Sequence, residues 1–218
     1  MNALPGTLVC FAVKQESEPF LRTNAAQRAR LLLTGMGPVN AQRAITIELA
    51  RATPRRVLSA GFAGGLAPGL ALGTVLFSSQ DDELARSLQS AGALPARFHC
   101  AERVATTARE KQALREQTGA DAVEMESAII CGICDRQGIP NAVVRVILDL
   151  ATEELPLDFN VLMNTRQQLA PGKLALALLR QPQKIPALLR LQRCSAAAAG
   201  ALAQVLSRVI ESSNQMNE

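Results

Sequence analysis

The chain has 218 residues, 48% hydrophobic and 19% charged, which suits one globule with a sizeable core and excludes a disordered or simple-repeat protein. Its net charge of +4 is lopsided: residues 159–210 hold Arg166, Lys173, Arg180, Lys184, Arg190, Arg193 and Arg208 and no acid, so the basic character belongs to the C-terminal quarter. With no Trp, no Tyr and six scattered Phe, stacking platforms for single-stranded nucleic acid are poorly supplied, and no nucleic-acid partner is expected.

The N-terminal MNALPGTLVCFAV has no basic leader and too short an apolar run to span a bilayer, so it reads as a first strand over 7–13, with a cytoplasmic location as the expectation. A second strand is expected over 30–36. After Gly37 and Pro38, Val39, Ala44, Ile45 and Leu49 recur near helical spacing until Pro54. VLSAGFAGGL then reads as a short strand running into a glycine-rich bend, and GTVLFSS as another strand. Residues 80–120 are polar and weakly patterned, with one expected helix that opens on the capping box Thr107/Glu110 and stops at Gly119. A helix over 127–137 ends at Gly138, and IPNAVVRVILDL supplies the next strand. Beyond Asp158, two or three helices broken at Pro182 and Pro186 are expected, Leu-rich on one side and basic on the other. The alternation describes an α/β sheet with helices on both faces, with residues 1–160 as the core and 161–218 as a basic helical extension packed on the same domain.

Chemistry concentrates between Ala122 and Leu150, where Glu124 and Glu126 precede an apolar helix and Asp149 ends an apolar strand. A carboxylate beside Val146, Ile147 and Leu148 is unfavourable unless it is hydrogen-bonded or protonated, so Asp149 is either a site residue or a strand-end cap. Gly35-Met36-Gly37 and Gly61 to Gly65 also fall at strand C-terminal ends, the edge where open α/β sheets bind ligands. Glycines there admit an anion, a ribose or a water, although tight turns need glycine as often. Glu16, Glu18 and Glu126 are equally compatible with acids placed at helix starts. Arg145 reads as the structural partner of an acid. Cys131 and Cys134 form a C-x-x-C pair inside a periodic apolar run; His99 is the only histidine, so no metal site is expected and the pair reads as core.

In combination, AGFAGGLAPGLALGTVLFSS, AVEMESAI, VVRVILDLA, TGMGPVNA and AVKQESEPF resemble the purine nucleoside phosphorylase superfamily, particularly its methylthioadenosine/S-adenosylhomocysteine nucleosidase branch. LPLDFN and LLRQPQKIPALLRLQR are more similar to the hopanoid-associated phosphorylase group. The resemblance implies a three-layer α/β/α fold with a central mixed sheet and a helical C-terminal extension. It also implies cleavage of the N-glycosidic bond of a purine nucleoside, such as adenosylhopane or a methylthioadenosine-like compound, without a cofactor, in a homodimer or larger oligomer. By the same resemblance Asp149 protonates the base, Glu16 activates water, and Glu126 takes the ribose hydroxyls above Met125. Phe62, Ala63, Gly64, Gly35, Gly37, Val104 and Ala105 would complete the substrate site.

The chain departs from that pattern at Phe62 and Leu148, where small polar residues are usual, and in the 103–107 loop, which lacks the phenylalanine that stacks on the base and leaves the contact to Val104 and Ala105. No arginine precedes the glycine run to clamp phosphate, which favours hydrolysis over phosphorolysis with phosphate as co-substrate, unless Arg22, Arg43 or a neighbouring subunit reaches in. A degenerate nucleoside-binding protein is the competing reading. The basic C-terminal segment fits peripheral contact with an anionic inner-membrane surface, or a helical cap with a solvated basic face.

Overall fold

The computed structural model describes residues 6–164 and 169–215, so Arg166 and the first residues of the N-terminal segment lie outside the described residues. Eight strands form one sheet: β1 (Thr7–Phe11), β2 (Ala29–Leu33), β3 (Arg56–Gly65), β4 (Val75–Ser79), β5 (Leu94–Pro95), β6 (Phe98–Cys100), β7 (Ala122–Glu124) and β8 (Asn141–Asp149). The order is β2-β1-β3-β8-β4-β5; β7 runs antiparallel against the end of β3, and β6 pairs with β7. β1, β2, β3 and β8 are mutually parallel and β4 is antiparallel to β8, which makes the sheet mixed. All of β1 is buried, as the apolar run from Leu8 to Phe11 demands of a strand covered on both faces.

The helices are α1 (Lys14–Leu21), α2 (Pro38–Arg51), α3 (Asp82–Ser90), α4 (Ala108–Thr118), α5 (Ser127–Arg136), α6 (Phe159–Leu162), α7 (Pro171–Arg180) and α8 (Ile185–Gln215). Ala41, Ile45 and Leu49 of α2 and Ile130, Ile133 and Cys134 of α5 cover one face of the sheet, against Leu8, Cys10 and Val57. On the other face Phe20 of α1, Leu84 and Leu88 of α3 and Ala198 to Ile210 of α8 pack on Val9, Leu58, Val144 and Val146. These three layers are the architecture expected of the sequence. Among the described residues no helix is long and apolar enough to cross a membrane.

Three local readings change. The glycine-rich bend after Val57 is strand throughout: Gly61, Gly64 and Gly65 lie within β3, pair with β8 or β7 and have no positive φ. Glycine is there for close approach, not for turning. The weakly patterned 80–105 region contains α3, whose Asp81 cap accepts the Leu84 N–H at 2.8 Å and whose Leu84 and Leu88, four apart, fill the core. Pro186 does not break a helix; it sits in the first turn of α8, where its missing N–H has no intrahelical acceptor to lose, and a short 3-10 turn at Pro182–Lys184 makes the one break.

Two features aim the chain toward the C-terminal edge of the parallel strands. Gly35 and Gly37 both have φ of 81°, a left-handed backbone that turns the chain from β2 into α2. In the β3–β8 ladder Ala63 pairs with Ile147 and Gly64 with Asp149, so Leu148 is one residue too many, a bulge immediately before the strand's terminal acid.

Candidate active site

Glu16 stands in the first turn of α1 yet is only 5% exposed, unlike its neighbour Glu18, so it is no solvated helix-start acid. Its Oε2 accepts the Ala12 and Val13 N–H groups at 2.9 and 3.1 Å, and its Oε1 accepts the Phe62 N–H at 2.8 Å. This last contact explains Gly61: a Cβ there would lie 2.6 Å from Oε1, closer than van der Waals contact permits. Burial raises the Glu16 pKa, against the opposing pull of the Phe62 N–H and of Arg145.

Glu126 occupies the N-cap position of α5 but does not cap it. Its Oε1 accepts the Gly37 N–H at 2.7 Å, tying the 122–127 segment to the β2–α2 turn. Capping falls instead to Glu124, which accepts the Ser127 N–H and Oγ–H at 2.8 and 2.7 Å and the Glu126 N–H at 3.0 Å. Between the acids lies the fully buried guanidinium of Arg145, 2.6 Å from Glu124 and 3.8 Å from Glu126, which also donates to the Ser59 carbonyl at 2.7 Å. Although burial acts most strongly and in the opposite sense, Arg145 and the Ser127 hydroxyl hold Glu124 below the usual glutamate range. Glu126, with Arg145 farther off, is pushed up to about 7 by burial. One cation thus separates two neighbouring carboxylates into a permanent anion and one poised near neutrality. Met125 is buried between them in sequence.

Asp149 of β8 lies opposite Gly64 of β3, where a Cβ would stand 3.3 Å from its Oδ2. Its partner is one the sequence reading missed: Lys111 of α4, fully buried, whose Nζ forms an ion pair with Asp149 Oδ2 and donates to the Leu150 and Glu153 carbonyls at 2.7 Å each. Burial raises the Asp149 pKa, while Lys111 lowers it. Asp149 also borders a cleft of about 300 Å³, walled by Leu148, Leu155, Lys184, Arg190 and Leu191.

The remaining expected residues divide. Phe62 is half-buried, packing on the α8 face of the sheet, and contributes its N–H; Ala63 is buried with Leu76, Ala122 and Ile147. Val104 has both main-chain polar groups engaged by Asn160, its N–H donating to Oδ1 at 2.9 Å and its carbonyl accepting from Nδ2 at 3.0 Å. A base seated there would have to displace that amide. Ala105 is buried with Leu66, Ala120 and Val123. Arg22 and Arg43 are exposed, and the buried cations Lys111 and Arg145 are each already paired with an acid. Cys131 and Cys134 are free thiols, pushed up by burial to about 12 and about 11, so neither carries a thiolate at neutral pH. Among the described residues no group of three His, Cys, Asp or Glu side chains is gathered to hold a metal ion.

The sequence model described as "Phosphorylase superfamily" matches residues 9–102 and 81–180. A 5'-methylthioadenosine/S-adenosylhomocysteine nucleosidase of Anoxybacillus flavithermus is 29% identical over 164 residues, 59% of this chain and 71% of the relative. The enzyme of that name from Actinobacillus succinogenes is 31% identical over 163 residues, again 59% and 71%. Among solved structures, futalosine hydrolase of Helicobacter pylori superimposes with a TM-score of 0.69 at 16% identity, over 94% of this chain and 97% of that one. The Neisseria meningitidis nucleosidase in complex with methylthio-immucillin-A does so with a TM-score of 0.70 at 20% identity, over 96% and 100%. At such identities the likeness to the solved structures concerns the fold.

Proposed function

The chain belongs to the phosphorylase superfamily, and from that premise we propose that it is a nucleosidase that hydrolyses the N-glycosidic bond of a purine nucleoside, an adenosine modified at its 5' position. The observation that supports the reading is the burial of three carboxylates that follow strands of the one sheet: Glu16 after β1, against Gly61 and the Phe62 N–H of β3; Glu126 after β7, on the Gly37 N–H; and Asp149 at the end of β8, against Gly64 of β3. In this reading Asp149 delivers a proton to N7 of the base as the bond from C1' to N9 breaks, and Glu126 accepts the ribose hydroxyls above Met125. Water adds to C1' while Glu16 removes its proton, and a carboxylate made more basic by burial suits that task. Gly35 and Gly37 shape the turn that holds Glu126, and Ala63 and Gly64 floor the site.

The pairing of both buried cations with acids supports hydrolysis over phosphorolysis, since a phosphate dianion would meet no uncommitted buried charge among the described residues. Incubating the full chain with methylthioadenosine, S-adenosylhomocysteine and longer 5'-substituted adenosines, with and without phosphate, tests this. Purine release independent of phosphate is expected, and a strict phosphate requirement overturns the hydrolase assignment. The second reading, a nucleoside-binding protein without turnover, draws on Phe62, Leu148 and the Lys111 pair. Calorimetric binding of adenine with no product from any nucleoside would favour it.

Support for a large apolar 5' substituent, such as that of adenosylhopane, comes from the cleft beside Asp149 and from what borders it. None of the ten residues of α7 is buried, Leu176, Leu179, Ile185 and Leu189 are exposed, and Lys173, Arg180, Lys184, Arg190 and Arg193 surround them. That surface suits peripheral contact with an anionic bilayer from the cytoplasmic side. Sedimentation with phosphatidylglycerol vesicles but not phosphatidylcholine vesicles, lost with L176D/L179D, is the expected result; equal binding to both lipids would refute it. A homo-oligomer is part of the proposal, checked by light scattering.

A further inference from the structure

Lys111 has no place in the reaction just proposed, yet it is as deeply enclosed as any residue of the core. A lysine ammonium has three N–H donors; here it donates two hydrogen bonds, to the carbonyls of Leu150 and Glu153, and its charge is paired with Asp149 Oδ2. The acceptors lie in the five residues that leave β8, so one side chain from α4 closes that turn around its own charge. Glu153 completes the closure from within the turn, its Oε2 accepting the Leu150 N–H at 3.0 Å.

We propose that Lys111 is a positioning residue for Asp149: it fixes the carboxylate in one orientation at the end of β8 and decides whether that carboxylate meets a purine charged or protonated. The inference rests on the reading of Asp149 as the group that faces the base. Every charged neighbour of the acid enters the balance. Lys111 from α4 favours the anion, and Glu153 from the turn opposes it. Glu153 is itself 3.6 Å from Arg190 of α8, and Glu154 and Lys184 stand farther along the same cleft. From β3 the glycines Gly64 and Gly65 approach, bringing no charge. Lys111 is the buried cation among these groups, so solvent and salt screen it least.

The test compares the full chain with K111M and K111R in two measurements. The first is the pH dependence of purine release; the second is the titration of the Asp149 carboxyl by carbon-13 NMR, its resonance identified by loss in D149N. Removing the cation should raise the Asp149 midpoint by about 1–3 pH units and carry the alkaline limb of the rate profile with it, while K111R restores both. A merely structural lysine would lower the yield of folded protein or the rate at every pH without moving either midpoint. Coincident Asp149 titrations in folded wild type and K111M overturn the proposal. If K111M does not fold, K111Q, which keeps donors for the two carbonyls, makes the same comparison. If wild type releases no purine from any nucleoside, the nucleosidase reading fails, and the NMR titration still decides the role of Lys111.

Discussion

Replacing Glu126 by Gln should stabilise the protein while disabling it. An ordinary glutamate titrates near 4.5, and burial carries Glu126 to about 7, against the pull of Arg145 and the Gly37 N–H. The folded state therefore holds a proton between those values that the unfolded chain has released. For an acid with a raised pKa, stability falls as pH rises through that window and is lowest above its upper end. At about 1.36 kcal/mol per pH unit, the interval corresponds to an upper limit of roughly 3 kcal/mol. Gln keeps a carbonyl oxygen for the Gly37 N–H and loses only the ionisation, and Arg145 retains Glu124 at 2.6 Å. Urea unfolding of E126Q and wild type from pH 4.5 to 8 should give curves that diverge with pH, the variant gaining on wild type by up to about 3 kcal/mol. At pH 8, where Glu126 is charged, kcat/KM should fall by about 10²–10³-fold through loss of the charged ribose acceptor, and the gap between variant and wild type should narrow toward pH 4.5, where Glu126 itself holds a proton. A stability difference that stays flat, or closes, as pH rises would refute the account of Glu126 as a carboxylate held at a cost for its function.

Two further substitutions probe the scaffold of the site. Gly61→Ala places a methyl 2.6 Å from Glu16 Oε1 and should cost about 1–3 kcal/mol in thermal or urea unfolding, with most of that recovered in G61A/E16A, where the obstructing carboxylate is gone. Arg145→Met strands Glu124 in the core and should cost about 3–5 kcal/mol, whereas R145M/E124Q should lose clearly less; equal losses in the single and double variants would argue against the ion pair as the cause.

Much of the scaffold is legible in the sequence because its signals are local. The apolar runs of β1 and β8, the Thr107/Glu110 capping box and the Gly119 stop, which has φ of 63°, each depend on residues within a few positions of one another. Asp149 attracts notice because an acid ends an apolar run, and Arg145 because a cation interrupts one. Which acid Arg145 holds is another matter: Glu124 and Glu126 are two apart, and only the fold shows that the first is fastened to the guanidinium and the second to Gly37. The glycines of β3 resemble turn glycines because their reason for being small lies in α1 and β8. Lys111 is the hardest case. In a helix otherwise rich in charged and amide side chains it looks solvated, and its acceptors come from a turn 38 to 42 positions later. A proline in a first turn carries the same letter as one that ends a helix, which hides the 31-residue length of α8.

The supernumerary Leu148 has a bearing on how such a protein changes over time. Up to Ile147 the strand answers to the alternation of the sheet, every substitution judged by the layers above and below it. One residue later that alternation is broken, and the acid beyond it is oriented by Lys111 and the Glu153 turn. Selection for a sound core and selection for the reaction therefore fall on adjoining but separable parts of one strand. The alternating positions can drift under the first without carrying the acid away from the second.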